Sequence, residues 1–214
     1  MFFYRQRVIV SNYIHKVRRK MKKRRCCWAE NASPIDIQYH DEEWGVPVYD
    51  DLVLFEFLVL EGMQAGLSWS TILRRRQTMK RAFDNYDLDA IIQYDEKKIA
   101  TLLQDTGIIR NRLKINAVIT NAKLFLEIQK EFGSFATYLW GFVDYKPIVN
   151  HWLSKEEVPI TTTLSDTISK DLKKRGFKFV GSTIIYAYLQ AVGVVNDHEV
   201  SCFCYTKEED LENT

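Results

Sequence analysis

The hydrophobic pattern is densest over Leu52-Val53-Leu54-Phe55-Glu56-Phe57-Leu58-Val59-Leu60, a run interrupted by a single charge. Apolar residues at nearly every position, without strict alternation, predict a helix buried on most of its sides. Asp50 and Asp51 stand at its start, where carboxylates suit the positive end of the helix dipole. The run delivers Glu61 into a different kind of stretch, Gly62-Met63-Gln64-Ala65-Gly66-Leu67-Ser68-Trp69. An acid leaving an apolar helix beside a tryptophan and two glycines reads as a binding site. Taken alone it reads more readily as a cap beside a core ring, because structural pairs use the same residue types.

The remaining segments are mostly helical with turn punctuation. Ser33-Pro34 and Gly45-Val46-Pro47 mark turns in a mixed region over residues 26–50. A second helix continues from Thr71 to about Phe83. Asp87–Ile92 and Asp95–Leu103 predict short capped helices with acidic first turns. From Leu103 to Ile115 a helix ends, a turn at Gly107 follows, and a second helix begins, with Ile115, Ala117, Val118, Ile119 and Ala122 as its apolar stripe. This helix–hairpin–helix pattern suits phosphate, with free backbone N–H groups at a helix start beside Arg110, Arg112 and Lys114. A solvated helical turn with ordinary surface charge fits the same spacing. Another helix is expected after residue 123, then the segment Tyr138–Val143 and polar loop around Pro147 and Pro159. Ser165-Asp166 are expected to cap a helix that ends in Lys173-Lys174-Arg175 and stops at Gly176, before a final apolar helix from Ile184 to Val192. The fold class is therefore mainly α.

Charge changes the picture at one end. The 214 residues carry a formal net charge of +2, but ten of the 30 basic residues and none of the 28 acidic ones fall within residues 1–25. The rest of the chain is net −8, so overall charge is no argument that the body binds nucleic acid. The arm lacks the apolar core of a signal peptide. It has the Arg-rich, acid-free character of a mitochondrial transit peptide but only one Ser, and Met21 is read as the true start, with residues 1–20 an upstream extension or plain disorder. No apolar run approaches the ~18 residues of a membrane span. The expected organisation is an arm over 1–25, one catalytic domain over 26–205 and a polar tail over 206–214, in a cytoplasmic protein.

The four cysteines, Cys26, Cys27, Cys202 and Cys204, lie at the two ends and point to reduced thiols or a metal site rather than a disulfide scaffold. His198 and Cys202 are four apart, one turn of a helix. With Cys26 and His40 they would make a closed tetrahedral zinc set that ties the chain ends together. A lone His-x-x-x-Cys pair is more often core and cap. The deaminase zinc signature is absent, so any zinc is read as structural. The rings of Trp28, Tyr39, Trp44 and Trp69, taken with Glu61, are what a flat, cationic, methylated ligand requires, although each ring alone could be core.

Five blocks then share one resemblance: Tyr39-His40-Asp41-Glu42-Glu43-Trp44-Gly45-Val46-Pro47; Leu60-Glu61-Gly62 with Gln64-Ala65-Gly66-Leu67-Ser68-Trp69; Gly107-Ile108-Ile109-Arg110-Asn111-Arg112; Leu172 to Gly181; and Val195-Asn196-Asp197-His198 before Cys202. In order and spacing, from about Arg25 to Tyr205, they resemble the type I 3-methyladenine DNA glycosylases. The resemblance implies a two-lobed fold of the helix–hairpin–helix glycosylase superfamily. It implies one structural zinc held by Cys26, His40, His198 and Cys202. It implies a base pocket in which Glu61 and Tyr39 hydrogen-bond an excised adenine, Trp69 stacks on it, and Trp28 and Trp44 form walls. Asp36 stands where some members carry an aromatic, which predicts a more open or polar wall, and Cys27 stands beside a zinc ligand where members have a small residue. The implied reaction is hydrolysis to an abasic site without strand cleavage, because the relatives' lyase lysine motif is missing, and Glu61 carries the catalysis because no hairpin aspartate can be placed. Gly66 and Leu67 are candidates to fill the gap in the duplex, with Gly107, Arg110 and Arg112 on the DNA backbone. The expected partner is double-stranded DNA containing alkylated adenine, bound by a monomer that has no membrane contact. The rivals are a helix–hairpin–helix protein that only docks on DNA, and a glycosylase for another base; a neutral lesion would need an acid that the sequence does not offer.

Overall fold

In a computed structural model residues 23–206 are described; the expectations for residues 1–22 and for the tail beyond 206 fall outside the described residues. The helices are α1 (Pro34–Glu42), α2 (Asp51–Gln64), α3 (Trp69–Ala82), α4 (Leu88–Ile91), α5 (Glu96–Gln104), α6 (Arg112–Phe132), α7 (Phe135–Trp140), α8 (Thr163–Arg175) and α9 (Ser182–Ala191). Two strands, β1 (Ile148–Val149) and β2 (Val195–Asn196), pair in parallel, with Ile148 opposite Val195 and Val149 opposite Asn196.

The apolar run forms α2 and sits at the centre of the molecule. It packs against α3, α6, α7 and α9, and Leu54, Phe55, Phe57, Leu58 and Leu60 lose nearly all contact with solvent. Its two leading acids do different work. Asp50 is the N-cap and accepts from Val53 N at 3.0 Å. Asp51 reaches across to a neighbouring helix start, accepting from Phe135 N and Ala136 N at 2.8 Å each and from Gln129 Nε2 at 2.7 Å. It thereby satisfies two orphan donors of α7 while fixing that helix against α2.

Two helix boundaries and one strand pair differ from the sequence expectation. α6 runs unbroken through residue 123, because Leu124, Phe125 and Ile128 extend the same buried stripe, with Phe125 stacked on Phe135 at 4.1 Å. The N-cap of α8 is Thr162, not Ser165; Ser165 is the reciprocal member of the capping box, its hydroxyl oxygen accepting from the Thr162 N–H at 2.8 Å while its own N–H donates to Thr162 Oγ1 at 3.1 Å. The β1–β2 pair was not visible as alternation, since two residues carry no period.

Tertiary ion pairs complete the frame around α1. Arg76 of α3 donates to Glu56 at 2.6 Å and to Glu43 at 2.5 Å, joining α3 to α2 and to the end of α1. Among the described residues no helix is long and apolar enough to cross a membrane.

Candidate active site and metal-binding cluster

Glu61 lies in the last turn of α2, and Trp69 is the first residue of α3. The intervening loop is held from below. Lys114 of α6 is buried, and its ammonium donates to Met63 O at 2.8 Å and Ala65 O at 2.7 Å, the free carbonyls at the end of α2. The sequence reading set Lys114 beside Arg110 and Arg112 as a phosphate contact. The structure turns it inward instead, where the negative end of a helix dipole attracts a cation. Gly66 has a φ of +79°, which favours glycine, and brings Leu67 to the surface at 41% exposure.

A cavity of about 370 Å³ opens between α1, the end of α2, the start of α3, α9 and the segment after β2. Trp28, Tyr39, Trp44, Glu61 and Trp69, all singled out in the sequence, line it together. Tyr39 and Trp69 lie 5.2 Å apart between ring centres, and Trp28 and Trp44 meet edge-on at 5.2 Å. Glu61 is 3% exposed, and its Oε2 is buried with no hydrogen-bond partner; the Trp69 Nε1 donor is equally unmatched. Burial raises the Glu61 carboxyl to about 8 and pushes the Tyr39 phenol well above its usual value. Two unsatisfied polar groups in one aromatic cavity are expensive unless a ligand completes them.

Asp36 does not open this wall. It is buried, and its Oδ2 accepts from Ser33 at 2.5 Å and Ser70 at 2.6 Å, tying α1 to the start of α3. The sequence reading missed Gln64, Lys155, Gln190, Asp197 and Glu199 as lining residues. Asp197 could have been suspected from its place beside His198. Its carboxylate is fully used: Oδ1 accepts from Asn150 at 2.7 Å and Trp152 at 2.8 Å, and Oδ2 accepts from Gln190 at 2.7 Å and from the Tyr186 hydroxyl. Asp197 therefore organises the cavity wall, whereas Glu61 keeps a buried oxygen without a partner.

The second site adjoins the first. Ligand atoms of Cys26, His40, His198 and Cys202 lie within 4.8 Å of one another, all four residues buried. The four cysteines are free, and Cys27 is exposed outside the cluster, so the thiol brought to it from that pair is Cys26. His198 Nδ1 bonds Asn196 Oδ1 at 2.9 Å, which leaves its buried Nε2 without a partner and facing the cluster. His40 Nδ1 meets Asp41 at 2.9 Å, and Arg25 grips the same carboxylate at 2.8 and 2.7 Å. Backbone N–H groups of Glu199 and Cys204 approach the Cys26 and Cys202 sulfurs at 3.4 Å. The Cys26–Cys202 hydrogen bond holds the Cys202 thiol well below its usual value and raises that of Cys26, so the pair carries one thiolate, and desolvation lowers His198 to about 4. A thiolate and a neutral imidazole with its ring fixed by an outer partner are the forms that ligate a metal, so this set could hold one. Gly45 is required beside it: its φ is +76°, and a Cβ there would come within 2.9 Å of the His198 ring. Trp44 packs on His198 at 4.6 Å and Trp28 on His40 at 5.1 Å, so the cluster forms the back of the aromatic wall.

The remaining predicted residues stand apart from the cavity. Gly107 and Arg110 lie on the turn between α5 and α6 and Arg112 is the first residue of α6, with Arg110 exposed and Arg112 paired to Glu96 at 2.9 Å. A family model described as methyladenine glycosylase matches residues 28–205. The chain belongs to the methyladenine glycosylase family. Within this family, DNA-3-methyladenine glycosylase 1 of Escherichia coli (strain K12) is 46% identical over 181 residues, spanning 85% of this chain and 96% of the relative. The DNA-3-methyladenine glycosylase of Haemophilus influenzae is 44% identical over 182 residues, spanning 85% and 98%. A crystal structure of 3-methyladenine DNA glycosylase I superposes with a TM-score of 0.83 at 47% identity, over 86% of this chain and all of that one. Another, a variant of that enzyme type in complex with 3-methyladenine, superposes at 0.82 with 32% identity, over 86% of this chain and 98% of that one.

Proposed function

We propose that this protein is a base excision repair enzyme that flips 3-methyladenine out of alkylated double-stranded DNA and hydrolyses its glycosidic bond. The observation that carries the reading is the unpartnered Glu61 carboxyl in an aromatic cavity. A module that only docks on DNA has no use for a desolvated acid there, because burying an unpaired polar group costs roughly 1–3 kcal/mol. The family relatives named for this activity point the same way.

Methylation at N3 leaves the base cationic, and it departs neutral when the C–N bond breaks. Little acid catalysis is then needed, and the protein's task is to extract the nucleotide and hold the cation as the bond lengthens. A cation arriving beside Glu61 favours the ionised carboxyl, which loses its proton to solvent and accepts a hydrogen bond from the exocyclic amine. Tyr39 orients the ring, Trp69 stacks on its face, and Trp28 and Trp44 close the sides, excluding water from the electrostatic contact. Leu67, raised on the Gly66 turn, fills the gap left in the stack. Gly107, Arg110 and Arg112, on a helix–hairpin–helix formed by α5 and α6, contact the backbone. In this reading DNA lies across two lobes of one catalytic domain over residues 26–205.

The donor set Cys26, His40, His198 and Cys202 fits one structural zinc: two thiols and two imidazoles with no open position. Bound there, zinc supplies cohesion between the chain ends, not reactivity. The reading takes the protein as a monomer that keeps its thiols reduced, as cytoplasmic proteins do. Incubation with methylated duplex DNA tests the function: free 3-methyladenine and alkali-labile, unbroken strands are expected. A folded, zinc-loaded protein that releases no 3-methyladenine would refute the assignment.

A further inference from the structure

The face of α3 between the Leu67 loop and the hairpin carries charge that nothing inside the protein uses. Thr71, Arg74, Arg75 and Thr78 follow the i, i+3, i+4, i+7 spacing and share one side of the helix. At its start, Ser68 and Thr71 hydroxyls are bonded at 2.8 Å, and Arg74 Nη2 leans back to Thr71 Oγ1 at 3.3 Å, toward Leu67. At the other end, Thr78 Oγ1 donates to Gly107 O at 2.6 Å. The strip therefore runs continuously from the loop to the hairpin, over roughly 10 Å at 1.5 Å per residue.

Its charge is unopposed. Arg76 on the opposite side is matched by Glu43 and Glu56, and Lys80 approaches Glu56 at 3.7 Å. Arg74, Arg75 and Arg110 have no carboxylate partner among the described residues, and α3 itself contains no Asp or Glu. Of the acids at the hairpin, Asp105 accepts from Gly107 N at 2.7 Å and Glu96 holds Arg112.

We infer that Arg74 and Arg75 bind consecutive phosphates of the strand carrying the flipped nucleotide, bridging the loop at Leu67 and the hairpin at Gly107. This rests on the reading of the protein as a DNA glycosylase. A strip of about 10 Å matches two to three steps of a strand that rises about 3.4 Å per nucleotide. Fixing those phosphates would set the register of the lesion over the cavity without reading any base.

The test uses a duplex with one tetrahydrofuran abasic analogue and the full chain, measuring affinity across a series of NaCl concentrations. The paired substitution Arg74→Ala/Arg75→Ala should lower the magnitude of the salt slope by about 0.9 per lost contact, roughly 1.8 in all. Arg74→Lys/Arg75→Lys should restore most of the slope, and all variants should bind free 3-methyladenine like the parent. An alanine pair that binds the duplex with the parent's slope and affinity overturns the strip while leaving the glycosylase reading intact. A parent protein that fails to bind the duplex at low salt refutes both.

Discussion

Burial holds the Glu61 carboxyl at about 8, so near neutrality it is a neutral acid. The direction of its effect on stability follows from linkage. In the unfolded chain the group titrates near 4.5, and in the folded protein near 8, so the folded state keeps its proton longer. The favourable contribution is complete below about 4.5 and is lost as pH rises through 8, at about 1.4 kcal/mol per unit in between. Glu61→Gln cannot ionise. Its stability relative to the parent should therefore rise by the order of 3 kcal/mol between pH 5 and pH 8, as read from denaturant midpoints. A constant difference across that range would mean the carboxyl is not desolvated. Asp197 shows the contrast, since four donors satisfy it and it has nothing to offer a ligand.

Helix ends decide how precisely the site is built. α2 brings Glu61 to the cavity, and Asp51 at its other end anchors α7 through two backbone bonds and one to Gln129. Asp50 makes one capping bond on its own helix. Asp50→Ala should cost about 0.5–1 kcal/mol and Asp51→Ala about 2 kcal/mol, compared by chemical denaturation. Equal losses would contradict the division of work between these neighbours. Caps and apolar runs made most helices legible in the sequence: Asp87, Asp95 and Asn111 sit where their side chains accept from the first turn. Tertiary context supplied the rest. Nothing local distinguishes Asp51 from Asp50, the continuity of α6 depends on what Phe125 meets, and Lys114 looks like a surface cation until α2 ends above it.

At the scale of the whole molecule, the two ends of the described chain meet behind the aromatic wall. Trp44 and Trp28 lean on the His198 and His40 rings, so order in the cluster and shape in the pocket depend on each other. The protein should carry about one zinc per chain after dialysis. Cys202→Ala should lose it with a large fall in melting temperature, whereas Cys27→Ala, exposed outside the cluster, should keep it. Metal analysis and thermal denaturation of both variants check this; a Cys202→Ala protein that melts like the parent would contradict the role. Tyr39, Trp44, Glu61 and Trp69 were legible because they stand within family blocks, and Trp28 because it lies close to the predicted ligand Cys26. Lys155, Gln190 and Glu199 were not, because they reach the cavity only once α9, the loop after β1 and the segment after β2 are folded around it. The central claim is that an ionised Glu61 faces a cationic base as it is excised, and the dependence of kcat/KM on pH with alkylated duplex DNA tests it most directly. The parent should gain about tenfold per pH unit up to about 8 and then level off, the free-enzyme titration of Glu61. Folded Glu61→Gln should be flat with pH and lower than the parent by about 10²–10³-fold on the parent's plateau above about pH 8. A glutamine variant that keeps the parent's rate and profile would contradict the account.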